Sequence, residues 1–160
     1  MMKLIDDHLE EVILVALLAL MTALIGGQIF MRYVMQASLS WSEELARYCF
    51  IWMAYISVSY AVKKDMHIST TAFVNLLPQR GVIVARILSH LIFAGFAFLV
   101  VFEGIALVQK LFGFGQRSSS LGLLMAYVYL APVVGFVMVL FRLAQRILIE
   151  LADLKAEGTQ

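Results

Sequence analysis

The chain has 160 residues, 62% of them hydrophobic and 14% charged, with a net charge of +1. Soluble domains hold roughly 45–50% apolar and about 25% charged residues, and a chain this short cannot hide such an apolar excess from water. The balance excludes a soluble enzyme, a disordered chain, a collagen-like fibre and a nucleic-acid binder, and leaves a protein that uses lipid as its solvent.

Acidic Asp6, Asp7, Glu10 and Glu11 precede the first apolar run. A signal peptide is basic there, so the run is expected to stay as a membrane span. Residues 12–31 are twenty without a charge, and about 20 apolar residues cross a bilayer core of about 30 Å. A second span is predicted over 41–62. Ser40-Trp41-Ser42-Glu43 fits a capping box, with Ser40 as the N-cap and Glu43 reaching back to it. Glu43 and Glu44 suit the positive end of that helix, and Arg47, four residues after Glu43, is placed to pair with it.

From Lys63 to Arg80 the chain turns polar. Within it Ile68, Ala72, Phe73, Leu76 and Leu77 recur at helical spacing before Pro78, which predicts a short helix in the membrane interface over 70–77. A third span over 82–112 is interrupted by Arg86, His90 and Glu103, and is long enough to tilt or protrude. Residues 113–120 read as a loop by composition. A fourth span follows over 121–141 with Pro132 inside, which membrane helices tolerate when neighbours satisfy the freed carbonyl. The charged tail from Glu150 is expected to be a frayed helix end. The expected fold is thus an all-α integral membrane protein, one membrane domain over 1–160, with four transmembrane helices and one interfacial amphipathic helix.

Four spans place both termini on one side. That side carries Lys3, Lys63, Lys64, Arg80, Arg86, Arg142, Arg146 and Lys155. The other carries Arg32, Arg47, Lys110 and Arg117. The excess of basic residues marks the cytoplasmic face, so both termini are expected in the cytoplasm.

The chemistry-bearing residues are few. One cysteine, Cys49, excludes an internal disulfide. No Cys/His cluster or glycine-rich phosphate loop points to a metal or cofactor, and none is expected. Ionisable residues inside spans are functional candidates. With a bilayer core of roughly 20 residues over about 88–107, Glu103 sits one turn inside its outer end, off-centre for a proton site reached from both faces, and suits a contact with a partner's cation or with the headgroup region. Arg86 and His90 lie four apart on one face, Arg86 snorkelling to the interface and His90 packing or meeting a partner. Haem ordinarily takes two axial ligands, and only one histidine lies in a span. Small residues are the clearer signal. Ala16, Ala19, Ala23 and Gly27 line one side of the first span, and Gly122 with Ala126, then Ala131 with Gly135, make small-xxx-small pairs on the fourth beside Pro132. Such stripes let helix backbones approach closely, inside the chain or against a partner. Neither inverted repeats nor a buried carboxylate pair marks a self-sufficient transporter. Two other classes stay open: a small homo-oligomeric proton-coupled exporter using Glu103, and a membrane anchor of a redox complex.

One stretch carries a resemblance. Arg32-Tyr33 ends the first span, followed by Trp41-Ser42-Glu43-Glu44, Arg47-Tyr48 and Trp52, then His67-Ile68, Pro78, and Tyr129-Leu130-Ala131-Pro132 with Gly135-Phe136. This order resembles the small membrane subunit, Q-type or DctQ-like, of tripartite ATP-independent periplasmic (TRAP) transporters. The resemblance implies a subunit of the bacterial inner membrane in a sodium-driven importer of organic anions such as sialic acids or C4-dicarboxylates. It implies a large M-type membrane subunit, here a separate polypeptide, that holds the substrate and sodium sites and moves as an elevator. It also implies a periplasmic substrate-binding protein as partner, with membrane lipids around the assembly. The small subunit would bind no substrate, would widen the large subunit's scaffold and would help form the docking surface. Arg32, Tyr33, Trp41, Glu43, Glu44, Arg47, Tyr48 and Arg117 are then the candidate subunit or docking contacts.

Overall fold

A computed structural model describes the backbone of residues 2–64 and 79–157, and the side chains of 10–64 and 81–150. Four helices make up the described chain: α1 (Met2–Val34), α2 (Ser40–Lys63), α3 (Gln79–Phe114) and α4 (Met125–Glu157). Each is long and apolar enough to cross a membrane, over Glu10–Val34, Ser40–Lys63, Gly81–Phe114 and Met125–Glu150. At 1.5 Å per residue the 36 residues of α3 reach about 54 Å, well beyond a bilayer core. The interfacial helix expected over 70–77 lies outside the described residues.

The helices lie side by side in the order α1, α2, α4, α3, since α2 packs on α1 and α4, and α3 on α4. The core therefore follows α4. Phe136, Val139 and Leu143 of α4 meet Val62 of α2 and Ala97 of α3. A second cluster joins Val108 and Leu111 of α3 to Ala126 and Val133 of α4. Two glycines set how closely these helices approach. A Cβ on Gly135 would stand 2.7 Å from the carbonyl oxygen of Tyr55, and one on Gly104 would stand 2.7 Å from Cγ2 of Val133. Backbone contact of this kind replaces the hydrophobic effect, which is absent between helices in lipid, as the source of association. Phe96 and Tyr55 then pack their rings against Phe136.

Four expectations are corrected. The fourth helix starts at Met125 rather than 121 and runs to Glu157, beyond the span expected to end at 141. Residues 121–124 belong to a corner closed by the bridge between Arg117 and Leu124 and by Met125 N–H donating to Gln116 O at 2.9 Å. Gly122 sits there at φ 65°, a left-handed turn position and not a helix-packing position facing Ala126. At α2, Leu39 is the N-cap and no side chain caps the helix, so the Ser40–Glu43 capping box does not form. Finally, no carboxylate among the described residues lies within ion-pair distance of Arg47, so the Glu43–Arg47 pair does not form either. Glu43 is engaged elsewhere, as described next. Pro132 lies inside α4.

Candidate functional site

Polar side chains gather at the two ends of the helical layer. At the end carrying α1–α2 and α3–α4 connections, the loop end, Gln28 of α1 is buried and uses both ends of its amide. Its Oε1 accepts from Leu39 N–H at 3.0 Å and from Ser42 Oγ at 2.9 Å. Its Nε2 donates to Glu43 Oε1 at 3.0 Å and to Ser38 Oγ at 3.4 Å. One amide thus ties α1 to the first turn of α2 and satisfies an N–H that the missing cap leaves open.

Glu44 and Tyr48, one turn apart on α2, make the second tie. The Tyr48 hydroxyl donates to Glu44 Oε1 and also approaches Met125 Sδ at 3.6 Å. Glu44 Oε2 accepts the backbone N–H groups of Ser120 at 2.9 Å and Leu121 at 3.2 Å. A carboxylate receiving successive amides is a strong, charge-assisted staple, and it pins the 115–124 corner to α2. Arg117 donates to Gly122 O at 3.1 Å across that same corner. Arg32, Tyr33, Trp41, Arg47 and Arg117 are exposed at this end.

The opposite, terminal end holds the charges. Glu10 of α1 and Arg142 of α4 are both buried and pair at 3.0 Å. Glu10 Oε1 accepts from Arg142 Nε at 3.2 Å and Nη2 at 3.0 Å, and from Ser59 Oγ of α2 at 3.4 Å. Three helices therefore converge on one carboxylate oxygen. Nearby, Arg146 donates to Lys63 O at 2.6 Å and so closes the C-terminal end of α2. His90 Nδ1 of α3 lies 3.2 Å from Glu150 Oε2 of α4. His90 therefore has its partner within the chain.

The other sequence candidates are scattered. Glu103 and Arg86 lie on the exposed surface of α3. Ala16, Ala19, Ala23 and Gly27 all face outward on α1, and a Cβ on Gly27 would meet nothing within 4 Å. Ala126, Ala131 and Gly135 are buried on α4. Sequence reasoning passed over Gln28, Ser59 and the Glu10–Arg142 pair. A lone glutamine in an uncharged run was the available signal for the first. The partners of the last are 132 positions apart. Among the described residues no cluster of His, Cys, Asp and Glu could hold a metal ion. The arrangement of the described residues ties helices together and offers surfaces.

Comparison with known proteins assigns this architecture. Residues 21–153 match the family described as "Tripartite ATP-independent periplasmic transporters, DctQ component". The chain is 35% identical over 81 residues to the sialic acid TRAP transporter small permease protein SiaQ of Vibrio cholerae, covering 51% of this chain and 47% of that one. It is 30% identical over 74 residues to the C4-dicarboxylate TRAP transporter small permease protein DctQ of the same organism, covering 46% and 32%. It is 29% identical over 147 residues to the isethionate TRAP transporter permease protein DctMQ of Oleidesulfovibrio alaskensis, covering 88% of this chain and 23% of that one. In each of these three the matched stretch is under half of the relative's own length.

Proposed function

Given that the chain belongs to the DctQ family of TRAP transporters, a transport component and not an enzyme, we propose that it is the small permease subunit of a sodium-driven importer of an organic anion. Sialic acid, C4-dicarboxylates and isethionate are named for its relatives, and the first two are the classes we propose for this chain. The observation that carries the proposal is the family match across a chain whose edge helices stay open. In the most apolar windows of α1 and α3 only 6% and 11% of residues are buried, against 50% in α4. A membrane protein built this way offers faces to lipid and to another subunit.

In this account the other subunit is a large M-type permease. The DctMQ relative supports it, because 88% of this chain matches less than a quarter of that permease protein. The chain packs on the large subunit's scaffold and widens it. The outward row Ala16, Ala19, Ala23 and Gly27 of α1 and the exposed Glu103 of α3 are contacts toward it. The loop end faces the periplasm and the termini face the cytoplasm of a bacterial inner membrane, as the basic residues argue. Exposed Arg32, Tyr33 and Trp41 then belong to the docking surface for the substrate-binding protein. Glu44 and Tyr48, by contrast, serve to hold the chain's own corner. The exporter and redox-anchor readings gain no support: Glu103 has no ionic partner among the described residues and faces out of the chain.

Removal of the chain from cells that keep the large permease and the binding protein tests the proposal. Sodium-dependent uptake of one organic anion is expected to disappear and to return when the chain is restored. Undiminished uptake of sialic acid and of C4-dicarboxylates without the chain would overturn it for those two substrate classes, and undiminished uptake of every organic anion the system carries would overturn it entirely.

A further inference from the structure

A concavity of about 650 Å³ opens at the loop end, between the first four turns of α2, the 115–124 corner and the first two turns of α4. That size falls within the roughly 300–1,000 Å³ of small-molecule sites. Its lining divides by chemistry. Ile51, Tyr55, Val128 and Pro132 give apolar walls, while Arg47, Arg117 and Glu43 supply charge.

The two carboxylates equal the two guanidinium groups in number, yet among the described residues no ion pair joins them. Glu44, which also lines the concavity, spends both oxygens on Tyr48 and on the Ser120 and Leu121 amides. Glu43 gives one oxygen to Gln28. Among the described residues the Arg117 side chain makes one hydrogen bond, to Gly122 O. Arg47 makes no hydrogen bond or ion pair with any described residue. Two guanidinium groups therefore line one concavity with most of their ten N–H donors unmatched.

The depth of this end in the membrane is marked independently. Tyr33 (77% exposed), Trp41 (43%), Tyr127 (50%) and Tyr129 (41%) ring the loop end. Exposed tyrosine and tryptophan at the end of a span mark the headgroup level. The site thus holds cations at headgroup depth above apolar walls that run toward the hydrocarbon.

We propose that this concavity is a site for one phospholipid, with its phosphate held by Arg47 and Arg117 and an acyl chain laid along Ile51, Val128 and Pro132. Guanidinium matches phosphate in a two-pronged geometry that a point charge lacks. Glu43 keeps one oxygen for a cation on the same headgroup, which selects the ammonium of phosphatidylethanolamine over the uncharged glycerol of phosphatidylglycerol. The inference needs only that the chain crosses a membrane and is independent of which transporter it serves.

The test uses the chain purified with whatever subunits accompany it from its own membrane, stripped of lipid in detergent and titrated with dioleoylphosphatidylethanolamine. Native mass spectrometry counts the lipid retained, and thermal melting follows its effect. One lipid per chain should be lost from the double variant Arg47→Gln/Arg117→Gln, with affinity reduced about tenfold or more and the lipid-dependent rise in Tm abolished. Glu43→Gln should keep the lipid and lose the preference over dioleoylphosphatidylglycerol. Tens of millimolar inorganic phosphate should leave the lipid in place. Equal retention by the wild type and the double variant would overturn the site. Displacement by inorganic phosphate would reassign it to a free oxyanion. Loss of an accompanying protein subunit from the double variant, with lipid count unchanged, would reassign it to a protein contact.

Discussion

Helices α1 and α4 carry the same small-residue signature and meet opposite fates. On α4, Ala126 and Ala131 are fully buried, and Gly135 lets the carbonyl of Tyr55 approach to where a Cβ would sit at 2.7 Å. On α1, Ala16, Ala19, Ala23 and Gly27 face away from the chain. The cause is position in the layer. Helix α4 packs along both α2 and α3, while α1 packs along α2 and reaches α4 through Glu10, so α1 turns toward α2 a different row: Leu14, Leu17, Met21, Leu24 and Met31, all half-buried, with Glu10 and Gln28 as buried polar anchors near its two ends. A small-xxx-small row records that a backbone comes close, and it leaves open whose backbone that is.

The comparison breaks hardest at the polar anchors. Glu10→Ala would remove the carboxylate that accepts from Nε and Nη2 of the buried Arg142, whose Nη1 keeps Gln145 Oε1 at 3.1 Å, and breaking a buried pair costs up to about 3–5 kcal/mol. Denaturant titration of the purified chain in detergent should show α1 released first, while Glu11→Ala, one position along on the exposed surface, changes little. Next comes Gly135→Ala. Its methyl group has backbone against it, so α2 and α4 must separate, at about 1–3 kcal/mol. Gly27→Ala is its counterpart on α1, where nothing stands in the way. Its folding stability should hold or rise by up to about 1 kcal/mol from helix propensity. A large loss at Gly27 in the isolated chain would remove the distinction between the two rows. Gln28→Leu should cost about 1–3 kcal/mol by leaving the Leu39 N–H without its acceptor, while the Ser42 hydroxyl keeps Leu39 O at 2.8 Å, read by faster thiol labelling of a cysteine placed at Ser38.

The smallest effect tests orientation alone. In a Cys49→Ser background, Lys64→Cys and Ser119→Cys place thiols on exposed positions at opposite ends. A membrane-impermeant reagent added to intact cells is expected to label position 119 and spare position 64. The reverse pattern would invert the assignment of the docking surface.

Four helices and the family were legible because both rest on local pattern: uncharged runs of bilayer length, and the ordered motif from Arg32-Tyr33 to Gly135-Phe136. The roles inside the motif were less legible. Ser40 and Glu43 have the spacing of a capping box, yet Gln28 from the preceding helix claims Glu43 and Ser42. A tertiary hydrogen bond overrode a local one. Glu10 read as a flanking charge, because the arginine that buries it lies on α4, far along the chain. The start of α4 was misplaced by four residues because an apolar Leu-Gly-Leu-Leu continues the hydrophobic run, while the left-handed Gly122 and the Arg117–Leu124 bridge hold it outside the helix.

The central claim is that the chain is one part of a larger permease, bound through faces it leaves open. Co-expression with the large permease subunit, followed by affinity purification on a tag carried by that subunit, measures this directly. One copy of this chain per large subunit is expected after detergent washing, with loss of the chain when Ala23→Leu and Gly27→Leu fill the outward row of α1 while its isolated folding stays intact. Recovery of the large subunit alone with the wild-type chain, or undiminished recovery of the Ala23→Leu/Gly27→Leu variant, would contradict it.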